Sequence, residues 1–488
     1  LFERFLGLDL ERKNFMKLRQ LVVLCCACQL TLAVAQQSPA PALEWKSGDL
    51  TLRGGVDAHA AYYSMSGAWW NLAASAAPTY NTDRSFGELW LHPKLNGRYD
   101  LAAERQLYGA LSLGLTKTLG ADAFDNRNKG AVRLENAHIG IRGKFDKAWY
   151  YDFSAGRQPF TLGTGMLLAA GSSNGTSWGA AASTPRKAWE QTVIARLGSD
   201  AFSGQLFYLE PAETPETRTN TRLHGASLEW AKNENGKAGL AWLEVPKSTA
   251  VYPGNLAPLV FIENGRAGLK TWHGWLDLND VVPGLKNLGL RAEFAVQRND
   301  IKRANGRIDP MKANAWLLGA SYWAQTLPFA PRFSYHRARF SGDKPDTQTY
   351  ERFDPLFWGN GLNNWWFGAN GSYAWINSNL KVQRFIIDAY ASARDILQFQ
   401  YVRTSADELN SAIQYGQGAR FGPQGLLVGV PKRELSDEYY LQYVRVFSSA
   451  LTGVIFVSHN TPGAGLKAVA PQGVRNWTTL GFLFSASF

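Results

Sequence analysis

The stretch that decides the fold is the last eleven residues, 478–488, TTLGFLFSASF. Leu480, Phe482, Phe484, Ala486 and Phe488 fall on one face of a strand with a period of two, and the final residue is aromatic. Three internal segments repeat the pattern with polar groups on the second face. Glu88–Tyr99 sets Leu89, Leu91, Leu95 and Tyr99 against Glu88, His92, Lys94, Asn96 and Arg98. Asn287–Gln297 sets Leu288, Leu290, Ala292, Phe294 and Val296 against Arg291, Glu293 and Gln297. Asp395–Arg403 sets Leu397, Phe399 and Tyr401 against Gln398 and Gln400. A charged face opposite an apolar one fits a one-sided soluble sheet or a barrel with a water-filled bore. Segments of about ten residues, repeated along the whole chain, favour the barrel.

The other end agrees. Residues 17–35 open with Lys17 and Arg19, continue through an apolar stretch from Leu21 to Val34, and close on Ala33-Val34-Ala35. A basic start, a short apolar core and small residues before a cut are the anatomy of a secretory signal peptide. The expected organisation is an upstream extension from a misplaced start over 1–15, a signal peptide over 16–35, a Pro/Ala-rich periplasmic leader over 36–48, and a barrel over 49–488. Cys25, Cys26 and Cys28, the only cysteines, all fall inside the signal. The remaining chain therefore has no disulfide, thiolate metal site or cysteine nucleophile. Residues 1–35 hold five Lys or Arg and three Asp or Glu, so the net charge of +11 falls to about +9 without them. That diffuse excess suggests an anionic partner. Aromatics reach 13%, with 18 Trp, while mean hydropathy is negative. No apolar run beyond the signal approaches the roughly 20 residues of a membrane helix, so any crossing is made by strands.

Between the ends, short and long connections alternate. The short ones fall near 100–105, 146–148, 199–203, 231–236, 280–287, 325–331, 392–395 and 448–450. The long ones fall near 62–85, 119–130, 160–188, 210–220, 246–266, 299–311, 340–378, 404–436 and 460–474. Eight short turns and nine long loops predict an all-β, transmembrane antiparallel β-barrel of eighteen strands, with sixteen as the alternative count. Both termini then lie on the short-turn, periplasmic side. Residues 372–376 are read as loop, because a strand there would make the number odd. A barrel this wide encloses an aqueous lumen unless loops fold in to fill it.

Four places carry a family resemblance. Gly156-Arg157-Gln158 ends a strand and is followed by the Gly-rich Leu162-Gly163-Thr164-Gly165. Arg133-Leu134-Glu135-Asn136-Ala137 opens the strand before it. Tyr350-Glu351-Arg352-Phe353-Asp354-Pro355-Leu356-Phe357 lies in the longest loop. Ser436-Asp437-Glu438 enters the antepenultimate strand, and Asn460-Thr461-Pro462-Gly463 follows the penultimate one. In these the chain resembles the alginate-export family of outer-membrane barrels. The resemblance implies an Arg-lined pore for an anionic polysaccharide, with pore roles for Arg157, Arg352 and Arg133. The chain departs from that pattern in Val454–His459, which has no arginine, and in offering His92 and Lys94 where an Arg is expected. A smaller anionic or sugar solute fits these residues as well. The terminal strand ending in Phe488 also resembles the signal read by the outer-membrane barrel-assembly machinery.

Strand parity adds further lumen candidates. Arg332 and His336 share a face opposite Phe333 and Tyr335, Arg142 and Lys144 face inward from the strand ending at Phe145, and Arg291 lies opposite Leu290. Collected basic side chains in a narrow pore raise the local concentration of anions. The bland reading is that any hydrophilic lumen carries charges of both signs, with Glu88, Glu135, Glu293 and Glu438 as partners. Trp358, Trp365 and Trp366 share the longest loop with Arg352. That loop either folds inward as a constriction with a sugar-stacking face or stays outside with its aromatics packed together. Gly175-Thr-Ser177-Trp-Gly179 matches a serine-hydrolase elbow in letters only, since no strand-turn-helix pattern surrounds it. The seven histidines lack metal spacing, and no nucleotide or nucleic-acid motif is present. The reading is a passive, non-enzymatic channel without metal or cofactor, seated in outer-membrane lipid. Its alternative is a surface-binding barrel plugged by its own loops.

Overall fold

A computed structural model describes residues 43–488 except 73, 75–78, 103, 147, 232–235, 257–258, 281–283, 360, 414–428 and 471–472. The expected extension, signal peptide and most of the leader lie outside the described residues.

Eighteen strands form the wall. The first six are β1 (Leu50–Ser66), β2 (Arg84–Ala102), β3 (Arg105–Gly120), β4 (Gly130–Lys144), β5 (Tyr150–Pro159) and β6 (Ala188–Gly198). The next six are β7 (Phe202–Glu210), β8 (Arg222–Ala231), β9 (Gly236–Lys247), β10 (Leu269–Asn279), β11 (Leu288–Lys302) and β12 (Ile308–Trp323). The last six are β13 (Arg332–Phe340), β14 (Leu380–Tyr390), β15 (Asp395–Ala406), β16 (Glu434–Val446), β17 (Leu451–Pro462) and β18 (Trp477–Ser487). Each pairs antiparallel with the next, and β18 returns to β1 with Asp57 opposite Ser487 and Ser66 opposite Thr478. Closure leaves no free sheet edge in the wall. A five-residue strand, Leu43–Ser47, pairs with β1 beyond the point where β18 stops, so the expected leader ends in sheet. Val56 and Phe488 exchange both backbone hydrogen bonds at 2.9 Å where the two meet.

The two faces sort as the alternation predicts. Leu89, Leu91, Leu95, Tyr99, Leu290, Phe294, Leu397, Leu480, Phe482 and Phe484 stand exposed on the outside. Their neighbours Glu88, Glu293, Gln297, Gln398 and Gln400 are buried inside. Backbone groups satisfied within a closed wall, under an apolar exterior, suit a hydrocarbon solvent. No described helix is long and apolar enough to cross a membrane.

One connection departs from expectation. The loop expected over 299–311 shrinks to residues 303–307, because β11 and β12 stay paired up to Lys302 opposite Ile308. Their outward residues there include Arg298, Asp300, Lys302 and Lys312, with Pro310 and Ile308 between, a largely charged sequence that reads as loop although the ladder continues. Residues 372–376 are loop with one short helix, Gly371–Ala374. The Gly156-Arg157-Gln158 element is a break in register between β5 and β6. Gly156 takes φ +120° there, and a Cβ on it would collide with the Ala137 carbonyl, so the position requires glycine.

Candidate functional site: a lumen crossed by two loops

Two long connections, residues 160–187 and 341–379, turn into the barrel and meet. Phe357 N–H donates to the Leu167 carbonyl and Ala169 N–H to the Phe357 carbonyl, both at 2.9 Å. Gly359 N–H reaches the Gly165 carbonyl at 3.1 Å, and Trp365 Nε1 donates to Thr164 Oγ1 at 2.8 Å. The longer loop runs nearly from wall to wall: Phe357 packs edge-on against Trp189 of β6, while Asn370 donates its Nδ2 to the Trp477 carbonyl of β18. Its tip goes deep. Asn363 Oδ1 accepts from Gln398 Nε2 at 3.1 Å, only three residues from the short-turn end of β15.

Backbone carried into a bore must find partners for its N–H groups. Wall glutamates supply them, since a carboxylate can accept several hydrogen bonds. Glu88 of β2 accepts Ala182 and Ser183 N–H at 3.0 and 2.7 Å. Glu135 of β4 accepts Lys187 and Ala188 N–H at 2.8 and 2.9 Å, and pairs with buried Arg186 at 3.0 Å. Glu293 of β11 accepts Thr164 Oγ1. Glu438 of β16 accepts Asn370 and Gly371 N–H at 2.9 and 2.8 Å. These four acids were expected to partner lumen cations. Mostly they are receptors for the loops; Glu293, which also lies 3.6 Å from Arg291, is the partial exception. A second fastening is Asp354, buried, which accepts from Nε and Nη2 of Arg266 at 2.7 and 2.9 Å and from the Tyr252 hydroxyl at 2.7 Å.

Arg384 of β14, which the sequence reading missed, clamps the tip. It is fully buried. Its Nη1 donates to the Leu362 carbonyl at 2.5 Å and its Nη2 to Asn363 and Asn364 carbonyls at 3.1 and 3.3 Å. Its inward parity was readable, but a loop 20 to 22 residues upstream as its partner was not.

The expected pore residues divide in three. Arg157 is 8% exposed and ion-paired to Glu190, and Arg352 is 1% exposed with Nε donating to the Ala412 carbonyl at 3.1 Å. Burial lowers the pKa of Arg352 from its ordinary value. Neither offers a free guanidinium to a solute, contrary to what the resemblance implies, because each is enclosed by the packing it supports. Trp365 is also fully buried, in the loops' own core with Phe340 and Phe367, so it has no stacking face left; Trp358 and Trp366 are half-buried. The second set, Arg133, Arg142 and Lys144, is exposed on the inward face of β4. Arg133 lies over the Trp178 ring, and Arg142 lies over Tyr108 and donates to Gln106 at 3.1 Å. The third set lies on the other side of the bore, β13 being nine strands from β4. Arg291, Arg332 and His336 line one recess of about 160 Å³ beneath Asn363. Asp277, Asp280 and Asp388 share it, so that recess is of mixed sign. Ser177 of the hydrolase-like motif donates to Glu216 at 3.2 Å. Among the described residues no His, Cys, Asp or Glu cluster is placed to hold a metal.

On the long-loop side, two carboxyls outside the strands are pushed up to about 6, chiefly by burial: Asp122 and Asp343.

A closed eighteen-stranded wall with an apolar exterior and a polar, loop-crossed interior defines the membrane β-barrel class. Three solved outer-membrane β-barrel porins are similar to the chain, and one of them reaches a TM-score of 0.50. Pseudomonas aeruginosa OccK8 (OprE) superposes with a TM-score of 0.50 at 7% identity, over 90% of this chain and 98% of its own. Pseudomonas aeruginosa OccK7 (OpdD) gives 0.46 at 11% identity, over 90% and 98%. Salmonella typhi OmpF, solved with daunomycin, gives 0.44 at 9% identity, over 91% and 100%. At 7% identity the likeness to OccK8 is one of fold alone. No family model and no curated protein matches the chain.

Proposed function

We propose that the protein is a passive outer-membrane channel for small anionic or sugar solutes, with its long loops outside and its termini in the periplasm. The observation that carries this is the exposed pair Arg142 and Lys144 on the inward face of β4, left open while Arg133 and Glu135 of the same strand meet loop 160–187. Cations accessible in a constricted bore raise the local anion concentration. The alginate-like resemblance supports an anionic solute, but two loops meeting across the bore favour small molecules over a polymer. The signal-like N-terminus and the terminal strand ending in Phe488 support delivery to the outer membrane through the barrel-assembly machinery.

The same crossing loops favour a second reading, a barrel sealed for surface binding. Planar-bilayer recording of the refolded protein decides between them. An anion-shifted reversal potential in a salt gradient, reduced in Arg142→Gln/Lys144→Gln, is the expected result. Conductance without ion preference would leave a neutral-solute pore. A folded protein that never conducts would overturn the channel reading in favour of the sealed barrel.

A further inference from the structure

The outward face of the wall carries a charge pattern that the lumen does not explain. Lys270 of β10 stands directly opposite Arg298 of β11, and Arg298 directly opposite Lys312 of β12. Directly opposed residues on one face have Cβ atoms about 5 Å apart, and like charges so placed repel. Three cations thus lie side by side across three strands. All three are exposed, with side chains on the same face as Trp272, Phe294 and Trp316.

No closed ion pair neutralises this row, which carries three cations against the single carboxylate of Glu244. Among the described residues no carboxylate lies within ion-pairing distance of Lys270, Arg298 or Lys312, nor of exposed Arg337 on β13; Arg298 donates only to its neighbour's carbonyl. Glu244, opposite Lys270 on β9, and Asp300, two residues along β11, are the nearest acids by register. The contrast with adjoining strands is sharp: Arg339 and Lys381 share Asp407 at 2.7 and 3.0 Å, and Arg403 takes Asp437 at 2.8 Å.

Directly below the row come Trp272, Val296 and Asn314, and below those Gly274, Phe294 and Trp316. Tryptophans on a barrel exterior sit at the level where hydrocarbon gives way to headgroups. The cations are one row above that level, on the long-loop side. A soluble anion would have no use for the apolar rows beneath, whereas a lipid would occupy both levels at once.

We propose that Lys270, Arg298 and Lys312 form a binding site for the phosphate groups of an anionic lipid in the leaflet on the long-loop side. The acyl chains lie against Trp272, Phe294 and Trp316. A guanidinium offers two-point contact to phosphate, and the flanking lysines supply point charges. This rests on the membrane-spanning fold and not on solute passage, so a sealed barrel would leave it intact.

The test is native mass spectrometry of the full chain in neutral detergent, titrated with diphosphoryl lipid A, with phosphatidylcholine, and with inorganic phosphate. Wild type is expected to retain lipid A at least tenfold better than phosphatidylcholine, with retention falling in high salt and resisting millimolar phosphate. Lys270→Gln/Arg298→Gln/Lys312→Gln should lose about tenfold in lipid A retention, while Arg403→Gln should not. A triple variant that runs as folded barrel on unheated gels yet keeps wild-type retention overturns the proposal. So does equal retention of phosphatidylcholine, or full displacement by phosphate, which would mark a site for free anions. If the triple variant does not fold, the salt dependence and lipid preference of wild type decide.

Discussion

Replacing Arg384 with Met should release the tip of the long inward loop while leaving the wall intact. The side chain donates to carbonyls of Leu362, Asn363 and Asn364, with a weaker contact to Trp366 at 3.4 Å. Counting only the two shortest bonds, at 1.5 kcal/mol or so each for a charged donor, gives about 3 kcal/mol. Methionine relieves the cost of burying the guanidinium, and lumen water resolvates part of what is freed, so a net of about 2 kcal/mol remains. That corresponds to roughly 30-fold in the opening equilibrium of the tip. The chain beyond Cys28 has no cysteine, so a single Leu362→Cys reports cleanly. Its labelling by a hydrophilic maleimide should run about 30-fold faster in Arg384→Met, whether or not the barrel conducts. Equal labelling in a folded variant would refute the view that Arg384 holds the loop down.

Asp354→Asn should break the buried pair with Arg266 and cost about 3–5 kcal/mol, lowering the temperature at which the unheated-gel band is lost; Arg266→Met/Asp354→Leu should recover part of that loss. Glu438→Gln replaces one of the two oxygens that accept the Asn370 and Gly371 N–H groups with an NH₂ donor, and should raise protease cleavage within 341–379 by about tenfold. Gly156→Ala forces a Cβ into a left-handed conformation against the Ala137 carbonyl, so its folded yield should fall sharply. Asp122 binds its proton more tightly in the closed loop, near 6, than in the open one, near 3.8. Closure of residues 121–129 should therefore weaken as pH rises from about 4 to 6 and level off above. Hydrogen exchange should show that slope, and Asp122→Asn should abolish it.

The wall was legible because each strand obeys one rule, polar in and apolar out, that any ten residues reveal. Leu89, Leu91 and Leu95 announce β2 without help from the rest of the chain. The rule failed at residues 299–311, where Arg298, Asp300 and Lys302 occupy the outward face near the membrane edge and hydropathy no longer separates strand from loop. The interior was less legible. Parity placed Arg142, Lys144, Arg291, Arg332 and His336 on the inward face, but facing inward does not fix what a side chain meets there. Arg384 shares that parity, yet its role depends on backbone carbonyls at residues 362–364, and no local pattern encodes such a meeting. Arg157 and Arg352 attracted attention as arginines in conspicuous motifs. The structure encloses both because the same motifs supply packing: Gly156 makes the register break, and Phe353 beside Arg352 is fully buried.

Charge in this barrel therefore divides by what each group touches. Glu88, Glu135, Glu293, Glu438 and Arg384 face backbone or hydroxyl groups of the loops, so their strength lies in hydrogen bonds that vanish when a loop leaves. Arg133, Arg142 and Lys144 contact no loop carboxylate, and their field persists wherever the loops stand. On the proposed channel reading, perturbing the first set should change how often the bore is open while leaving its ionic preference, because the field of β4 is untouched. Perturbing the second should change preference at constant open time. If removal of Lys144 altered loop labelling, or Arg384→Met altered the reversal potential, the two sets would be coupled through a contact absent from this structure, and the separation of anchoring from selection would be wrong.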